Sequence, residues 1–219
     1  MKKIILFFTL VSPVVTFAQS HTPMTISAQV GVDGAGHGTV YENKYNGTVL
    51  DRDTSGAATV MYPVSVHVNV FKWVSVGLVF QAGSYIEDPD NAEANGNKAR
   101  FLSGEIKFYP VNKDKFAWYL GFRFGGSHLE INRLIDIVGV KVPYQYQFSG
   151  SNFGAFTGFN WYFAKNVGMY FNLGYTSNNF LLTDYSINST AQNISGFDNH
   201  MWTKGANASL GLALRFGGK

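Results

Sequence analysis

Four charged residues stand out because the stretches around them are otherwise apolar, small or neutral polar: Glu105, Lys107, Arg123 and Arg215. A carboxylate among three cations can form ion pairs, line a pore or take part in catalysis. Charges that a fold removes from water need partners, because a lone buried charge costs several kcal/mol. All four are expected on the inward face of the fold, where we predict a structural salt-bridge network that fills the interior; a gated pore for small solutes is the alternative.

Ser127, His128 and Glu130 offer a serine, a base and a carboxylate within four positions. Acyl transfer needs these three types of group in one place. No activated-serine motif surrounds them, and such close spacing near a strand end arises easily by chance. We therefore assign no catalytic residue and keep an acyl-modifying enzyme as an alternative.

Two acidic stretches could in principle attract a cation. "DRDTSG" (51–56) has the spacing that opens an EF-hand calcium loop, but Tyr62 stands where that loop needs a bidentate glutamate. The second stretch, 85–97, concentrates Glu87, Asp88, Asp90 and Glu93. We interpret both as solvated acidic loops and predict no metal and no cofactor. The chain contains no cysteine, which excludes disulfides and cysteine-based metal or redox sites.

The first 18 residues have the three parts of a secretory signal peptide. Lys2 and Lys3 precede an apolar run, and Thr16 and Ala18 place small residues where a signal peptidase reads them. The sequence thus predicts a signal peptide over 1–18 and one domain over 19–219. Without the two leader lysines the 17 basic residues fall to 15, against 14 acidic ones. A net charge of about +1 gives no basic stripe for nucleic acid.

The rest of the chain alternates apolar with small or polar residues at period two. In the last segment Leu210, Leu212 and Leu214 alternate with Gly211 and Ala213. A period of two indicates β-strands with two different faces. The pattern covers eight segments: 24–33, 60–70, 74–84, 101–109, 116–125, 153–163, 167–176 and 207–216. Their length of about ten residues suits tilted strands that cross a bilayer.

The connections alternate between short and long. Short ones are expected around 71–73, 110–115 and 164–166, and long loops at about 34–58, 86–99, 126–151 and 177–203. This is the layout of an outer-membrane barrel with periplasmic short turns. The fold class predicted is therefore all-β: a closed, eight-stranded, antiparallel, up-and-down transmembrane β-barrel. Pro63 suggests a bulge or a late start of the second membrane strand. The apolar residues fall on even numbers in 142–148 and on odd numbers from Phe153 onward, and this change of parity suggests another bulge near 149–151.

A secreted soluble barrel that encloses an apolar ligand would also alternate. The strand face opposite the apolar one distinguishes a soluble barrel from a membrane barrel. It is mostly Gly, Ser, Asn, Thr and Gln, whereas a water-exposed surface normally carries many more charges. Charged residues are only 14% of the chain and aromatic residues 16%. The aromatic residues also gather near the two ends of the strands, as in membrane-interface girdles. They are Trp73, Tyr109, Phe116, Trp118, Trp161, Tyr162, Phe163 and Phe216 at one end, and Tyr85, Phe101, Phe124, Phe153, Tyr175 and Trp202 at the other.

Eight alternating strands, a leader, long odd-numbered loops and a final "SLGLALRF" together resemble the small outer-membrane β-barrels, such as the transmembrane domains of OmpA and OmpX. The "FAQ" leader end and the aromatic-rich hairpins look like versions from the Bacteroidetes. In that family the last strand carries a signal for the barrel-assembly machinery that usually ends on an aromatic residue. The resemblance implies such a signal in Leu210, Gly211, Leu212, Leu214 and Phe216, although the chain continues to Lys219.

The predicted role is that of an integral outer-membrane protein of a Gram-negative bacterium, exported through its signal peptide. We expect a non-enzymatic structural role, or a scaffold whose surface loops bind a partner or mediate adhesion. A lipid A-modifying enzyme and a narrow channel are the alternatives. Expected partners are outer-membrane lipid and lipopolysaccharide, the barrel-assembly machinery during biogenesis, and an unknown extracellular partner. The protein is expected to be a monomer.

Overall fold

A computed structural model describes residues 24–87 and 96–217 of the protein. The predicted signal peptide, residues 1–18, lies outside the described residues. Among those described, no helix is long and apolar enough to cross a membrane. This part of the chain forms nine strands: β1 Ile26–Tyr45, β2 Thr48–Phe71, β3 Val74–Glu87, β4 Lys98–Asn112, β5 Phe116–Ile137, β6 Val140–Tyr162, β7 Val167–Ile187, β8 Thr190–Ala191 and β9 Phe197–Phe216.

Eight long strands close into one barrel. Each pairs antiparallel with its neighbours in the chain, and the first strand, β1, pairs along its whole length with the last, β9. The two-residue β8 pairs only with the end of β7 and lies outside the ring. The predicted fold class, a closed eight-stranded up-and-down transmembrane β-barrel, is confirmed.

The strands are much longer than the sequence predicted. Most of 34–58, 126–151 and 177–203, expected to be loops, continues the ladder as tall hairpins. Two of these hairpins close in two-residue turns with positive φ angles, at Asn46-Gly47 and Val138-Gly139, as primed hairpin turns require. The loop prediction was wrong because the hairpins lack the small-polar inner face used to recognise strands, although their backbones pair without interruption. Residues 88–95, in the connection predicted at 86–99, lie outside the described residues.

Neither predicted bulge is found where the sequence suggested one. Pro63 lies in an unbroken register opposite Gln81, with its ring buried inside the barrel. Strand β6 pairs with β5 continuously from Val140 to Trp161, through the region 149–151. The only register shift along β6 falls between Gln147 and Phe148 in its pairing with β7. The parity change therefore has another cause: above this level the apolar side chains point into the barrel instead of away from it.

The barrel therefore has two levels, in which the apolar side chains point in opposite directions. In the turn half, next to the short turns, the exterior is a continuous apolar face; Leu78 is 65% exposed and Leu102 60%. In the hairpin half, which begins at the level of Arg100, His128, Ser149 and Lys204, the exterior is mostly polar below the tips of the hairpins. Most of the predicted girdle residues lie on the outside, but Tyr85, Tyr109 and Tyr162 are buried within the barrel, and Phe101 packs partly buried against the interior.

Candidate functional site

The interior of the turn half is organised around one carboxylate, that of Glu105 on β4. Antiparallel register places Glu105 directly opposite Arg123 of β5, and Lys107 follows two positions later on the same inward face. Arg123 donates to Glu105 Oε2 through Nε at 3.0 Å and Nη2 at 2.8 Å. Lys107 Nζ and His67 Nε2 both lie 3.0 Å from Oε1. Three of the four charged residues selected from the sequence thus form one cluster, in which Lys107 and Arg123 contact the Glu105 carboxylate, and His67 is its fourth member.

Neutral amides extend this cluster across the lumen. Lys107 Nζ donates to Gln29 Oε1 at 2.8 Å, and the Gln29 amide donates in turn to Asn160 at 2.9 Å. Arg123 Nη1 donates to Gln81 at 2.9 Å. The exposed fraction is 3% for Glu105 and 1% for Lys107. Charges this deeply buried are stable only while all of them are present, since removing one partner exposes the others to an uncompensated desolvation cost.

Arg215, the fourth predicted member, lies apart from this cluster. Its guanidinium donates to the backbone carbonyls of Lys165 and Asp114 at 3.0 and 2.6 Å. It also stacks 4.0 Å from the ring centroid of Tyr162. Arg215 therefore joins two of the short turns and covers the turn end of the lumen.

Tyrosine rings fill the remaining space of the turn half. Tyr119 is fully buried and donates to Asn172 at 2.6 Å, and its ring meets Tyr109 edge-on at 5.5 Å. Tyr170 lies over Gly31 and Gly211, where any side chain would collide with its ring. The cavities around Arg123 measure only about 20 and 10 Å³, which is room for about one water each. The turn half is a packed interior in this structure.

The hairpin half contains an apolar layer that the sequence analysis missed. Leu129, Ile131, Phe148 and Met201 are almost completely buried inside the barrel, together with Met61, Tyr85, Ala99 and Phe180. The available signal was the parity change itself, because even-numbered Tyr146 and Phe148 precede odd-numbered Phe153 in β6. This layer lies between the charge cluster and the hairpin end of the barrel.

Above the apolar layer the hairpins enclose an open cup of about 820 Å³. Its walls come from seven strands, and Glu87 and Arg133 form an ion pair across it at 2.6 Å. Tyr41 donates to the other oxygen of Glu87 at 2.5 Å. Burial opposes the charged form of Arg133, but the neighbouring Glu87 carboxylate raises the pKa of Arg133 above its usual value. Burial, with Tyr85 and Glu87 nearby, likewise raises the pKa of Tyr41, so that Tyr41 remains a donor.

The set Ser127, His128 and Glu130 is split between the two faces of β5. Ser127 points inward and is buried, whereas His128 and Glu130 lie on the exterior. His128 Nδ1 instead lies 3.1 Å from the hydroxyl of Ser149 on β6. Glu130 is engaged by Lys98, Asn132 and Gln145. The structure therefore separates the three residues and shows an exterior Ser149–His128 pair, which no carboxylate of residues 24–87 or 96–217 orients.

The acidic stretch 51–56 belongs to β2 and is not a loop. Within residues 24–87 and 96–217, no three acidic or histidine side chains lie close enough together to hold a metal ion. In the terminal segment, Leu210 and Leu212 are exposed on the apolar exterior, Leu214 and Phe216 are half-buried, and Gly211 packs inward against Gly31.

No protein-family profile matches the chain, and no curated protein does. Among solved structures it is similar to the outer membrane protein OprG from Pseudomonas aeruginosa, with 11% identity over 92% of this chain and 100% of that one, at a TM-score of 0.63. It also matches Neisserial surface protein A (12% identity, 84% and 97% coverage, TM-score 0.42) and Ail of Yersinia pestis (10%, 86% and 99%, 0.37). The similarity to OprG extends over the whole barrel, and the chain therefore has the fold of an outer-membrane β-barrel protein.

Proposed function

We propose that this is an integral outer-membrane protein of a Gram-negative bacterium whose tall hairpins act as a non-enzymatic binding scaffold at the cell surface. A cleaved leader over 1–18 would direct its export, and the short turns would face the periplasm. The finer kinship with OmpA and OmpX barrels of the Bacteroidetes type belongs to the same proposal and rests on the alternating strands and the terminal segment.

The tip of the β5–β6 hairpin is the observation that carries a binding role. It exposes five large apolar side chains far from the apolar barrel face: Leu134, Ile135, Ile137, Val138 and Val140. Exposed apolar patches on soluble surfaces typically mark interaction sites. Asp136 fixes this tip by accepting a hydrogen bond from the Gly139 amide at 2.7 Å.

Val138 is the residue least explained by folding alone. It is 98% exposed and has a φ of +53°, a region that a β-branched residue rarely adopts. The equivalent turn position in the β1–β2 hairpin is Asn46, at φ +48°, a residue that tolerates this conformation. Backbone strain of this kind tends to occur at functional positions. We infer that the tip presents Val138 to an apolar partner surface.

The filled interior supports a role that does not depend on conduction. The charge cluster and the apolar layer occupy two successive levels of the lumen, and the gaps around Arg123 hold about one water each. Of the predicted alternatives, the narrow channel therefore has the weaker support.

The binding role can be tested with cells that display the full-length protein. A tip variant that combines Ile135→Thr, Ile137→Thr and Val138→Asn should greatly reduce the retention of these cells on octyl-coated beads and on layers of other cells. Val49→Thr in the β1–β2 hairpin is the matched control, because Val49 is also exposed at 50%. Gel mobility with and without heating would verify that both barrels fold. Unchanged retention of the tip variant would contradict the proposal.

The exterior Ser149–His128 contact favours one second candidate, a lipid-modifying enzyme. The pair lies where the apolar face ends, which is where the acyl chains and headgroups of the outer leaflet would meet the barrel. A serine activated by histidine could attack an acyl ester there. Mass spectrometry of lipid A from cells that express the parent or Ser149→Ala would decide. A mass change that requires Ser149 would establish the enzyme, and identical spectra would remove it.

We further propose that outer-membrane lipid and lipopolysaccharide surround the apolar face, and that the barrel-assembly machinery reads the terminal segment from Leu210 to Phe216. The protein would function as a monomer with an extracellular partner at its hairpins. Truncation after Leu214, which removes Phe216, should lower the yield of heat-modifiable barrel in cells. Unchanged assembly would contradict the role assigned to the terminal segment.

A further inference from the structure

The cup at the hairpin end has the size of a small-molecule site, and it lies apart from the β5–β6 tip. Its volume of about 820 Å³ falls within the usual range for concave ligand pockets. Most of its lining is polar, and apolar side chains form one part of the wall. Ile131 and Phe148 of the apolar layer form part of its lining, and Leu182 continues that surface on β7. Leu182 is half-buried and faces the cup, whereas Ile131 and Phe148 are almost completely buried and form its floor.

The opposite wall is polar and acidic. Asp51, Asp53 and Ser55 of β2 line it together with Asn43 and Asn199, which face each other across the β1–β9 ladder. Asp53 accepts a hydrogen bond from the neighbouring Thr54 amide at 2.7 Å. No basic side chain in 24–87 or 96–217 forms an ion pair with Asp51 or Asp53.

Counted over the described residues, the lining of the cup carries a net negative charge. The other two charged residues in its lining, Glu87 and Arg133, neutralise each other in their 2.6 Å ion pair. The Oδ1 atom of Asn199, a lining residue, is buried and lacks a hydrogen-bond partner within the described chain, and a turn of the side chain would present this oxygen to a ligand. Arg133 Nε is also without a partner there, but the charge of its guanidinium is already matched by Glu87.

We propose that the cup binds a small organic cation with an apolar body, such as an ammonium group attached to an aromatic ring. The ammonium lies against Asp51 and Asp53 and can donate to Asn199. The ring lies against Phe148, Ile131 and Leu182. An anion would meet two unmatched carboxylates, and a neutral apolar molecule would desolvate them without compensation.

Three probes with the same ring and different charge test this directly. Naphthylmethylamine is cationic at neutral pH, naphthylmethanol is neutral and naphthylacetate is anionic. Each would be titrated by calorimetry into the full-length protein in nanodiscs of zwitterionic lipid, with empty nanodiscs subtracted. We expect saturable binding of the amine at one site, and binding of the alcohol and the acid at least about tenfold weaker, equivalent to about 1.4 kcal/mol.

Variants then localise the site. The double change Asp51→Asn and Asp53→Asn should lower the affinity for the amine about tenfold or more, and Leu182→Ser should weaken the amine and the alcohol alike. Asp184→Asn is the matched control, because Asp184 is exposed on β7 and is not part of the cup lining. All four residues lie at exposed or half-buried positions, and heat-modifiable gel mobility would verify folding.

Three results would overturn the proposal: no saturable binding of the amine, equal binding of all three probes, or equal loss of affinity in the Asp184 control and the Asp51 and Asp53 variant. Because the β5–β6 tip contributes nothing to the cup, loss of adhesion in the tip variant with intact amine binding would separate this inference from the proposed function.

Discussion

The two halves of the barrel use the same alternating strands with opposite polarity. In the turn half, apolar side chains such as Leu102 face outward, and polar ones such as Glu105 face inward. In the hairpin half, Arg100 and His128 face outward, while Leu129 and Phe148 pack inside. A strand defines two faces, but the surrounding solvent determines which of them is apolar. The level at which the pattern inverts is the edge of the apolar exterior face, where we expect the membrane to end.

The largest predicted effect concerns the interior of the turn half. Glu105→Ala would remove the carboxylate shared by His67, Lys107 and Arg123 and should lower the free energy of unfolding by about 3–5 kcal/mol, because the remaining charges stay buried without a partner. Urea unfolding in lipid vesicles would measure it, with Ser103→Ala as a comparison on the same strand face, because that change removes one uncharged buried hydrogen bond to Asn152 and should cost only about 1 kcal/mol. Adding Arg123→Ala should cost less than the two single changes together. A silent Glu105→Ala would indicate a hydrated lumen.

The same type of substitution, leucine to arginine, should have different effects on stability on the exterior of the two halves. Leu212→Arg puts a charge on the lipid-facing side of β9 and should destabilise the barrel by about 2–4 kcal/mol near the midplane. Leu50→Arg makes the same change in the hairpin half, where Leu50 is 61% exposed, and should change stability by less than about 0.5 kcal/mol. Unfolding in vesicles compares both with the parent. Equal effects would mean that the membrane boundary is misplaced.

The interior of the hairpin half should respond as a soluble core does. Leu129 is fully buried, and Leu129→Ala should cost about 2–3 kcal/mol, at the low end for a buried leucine because the nearby open cup lets water and side chains rearrange. Leu102→Ala, on the lipid side of β4, should cost less, since lipid fills the space left. Amide exchange in β5 and β6 would locate the loss. A larger effect at Leu102 would reverse our assignment of the two faces.

The sequence predicted the turn half well, because there one face meets lipid and the other a crowded polar lumen. Period two therefore located all eight membrane strands and the inward position of Glu105, Lys107 and Arg123. The same alternation did not identify the strands of the hairpin half. There the exterior is polar and the interior is apolar, and the tips of the hairpins are apolar on both faces. Arg215 was grouped with the cluster because parity gives the face of a residue but not its height along the barrel.

The smallest predicted effect is at the β5–β6 tip, where function and stability should oppose each other. Val138 and Asn46 occupy the same position of equivalent two-residue turns, at φ angles of +53° and +48°. A β-branched residue in this left-handed region costs about 1–2 kcal/mol, whereas asparagine is tolerated. Val138→Asn should therefore stabilise its hairpin by about 1 kcal/mol and reduce adhesion, and Asn46→Val should destabilise the β1–β2 hairpin by a similar amount. Amide exchange at Ile137 and Val140, compared with Tyr45 and Thr48, would measure both changes. If Val138→Asn left exchange and adhesion unchanged, the strain at Val138 would have neither a stability cost nor a role in binding, and the tip would be an ordinary turn.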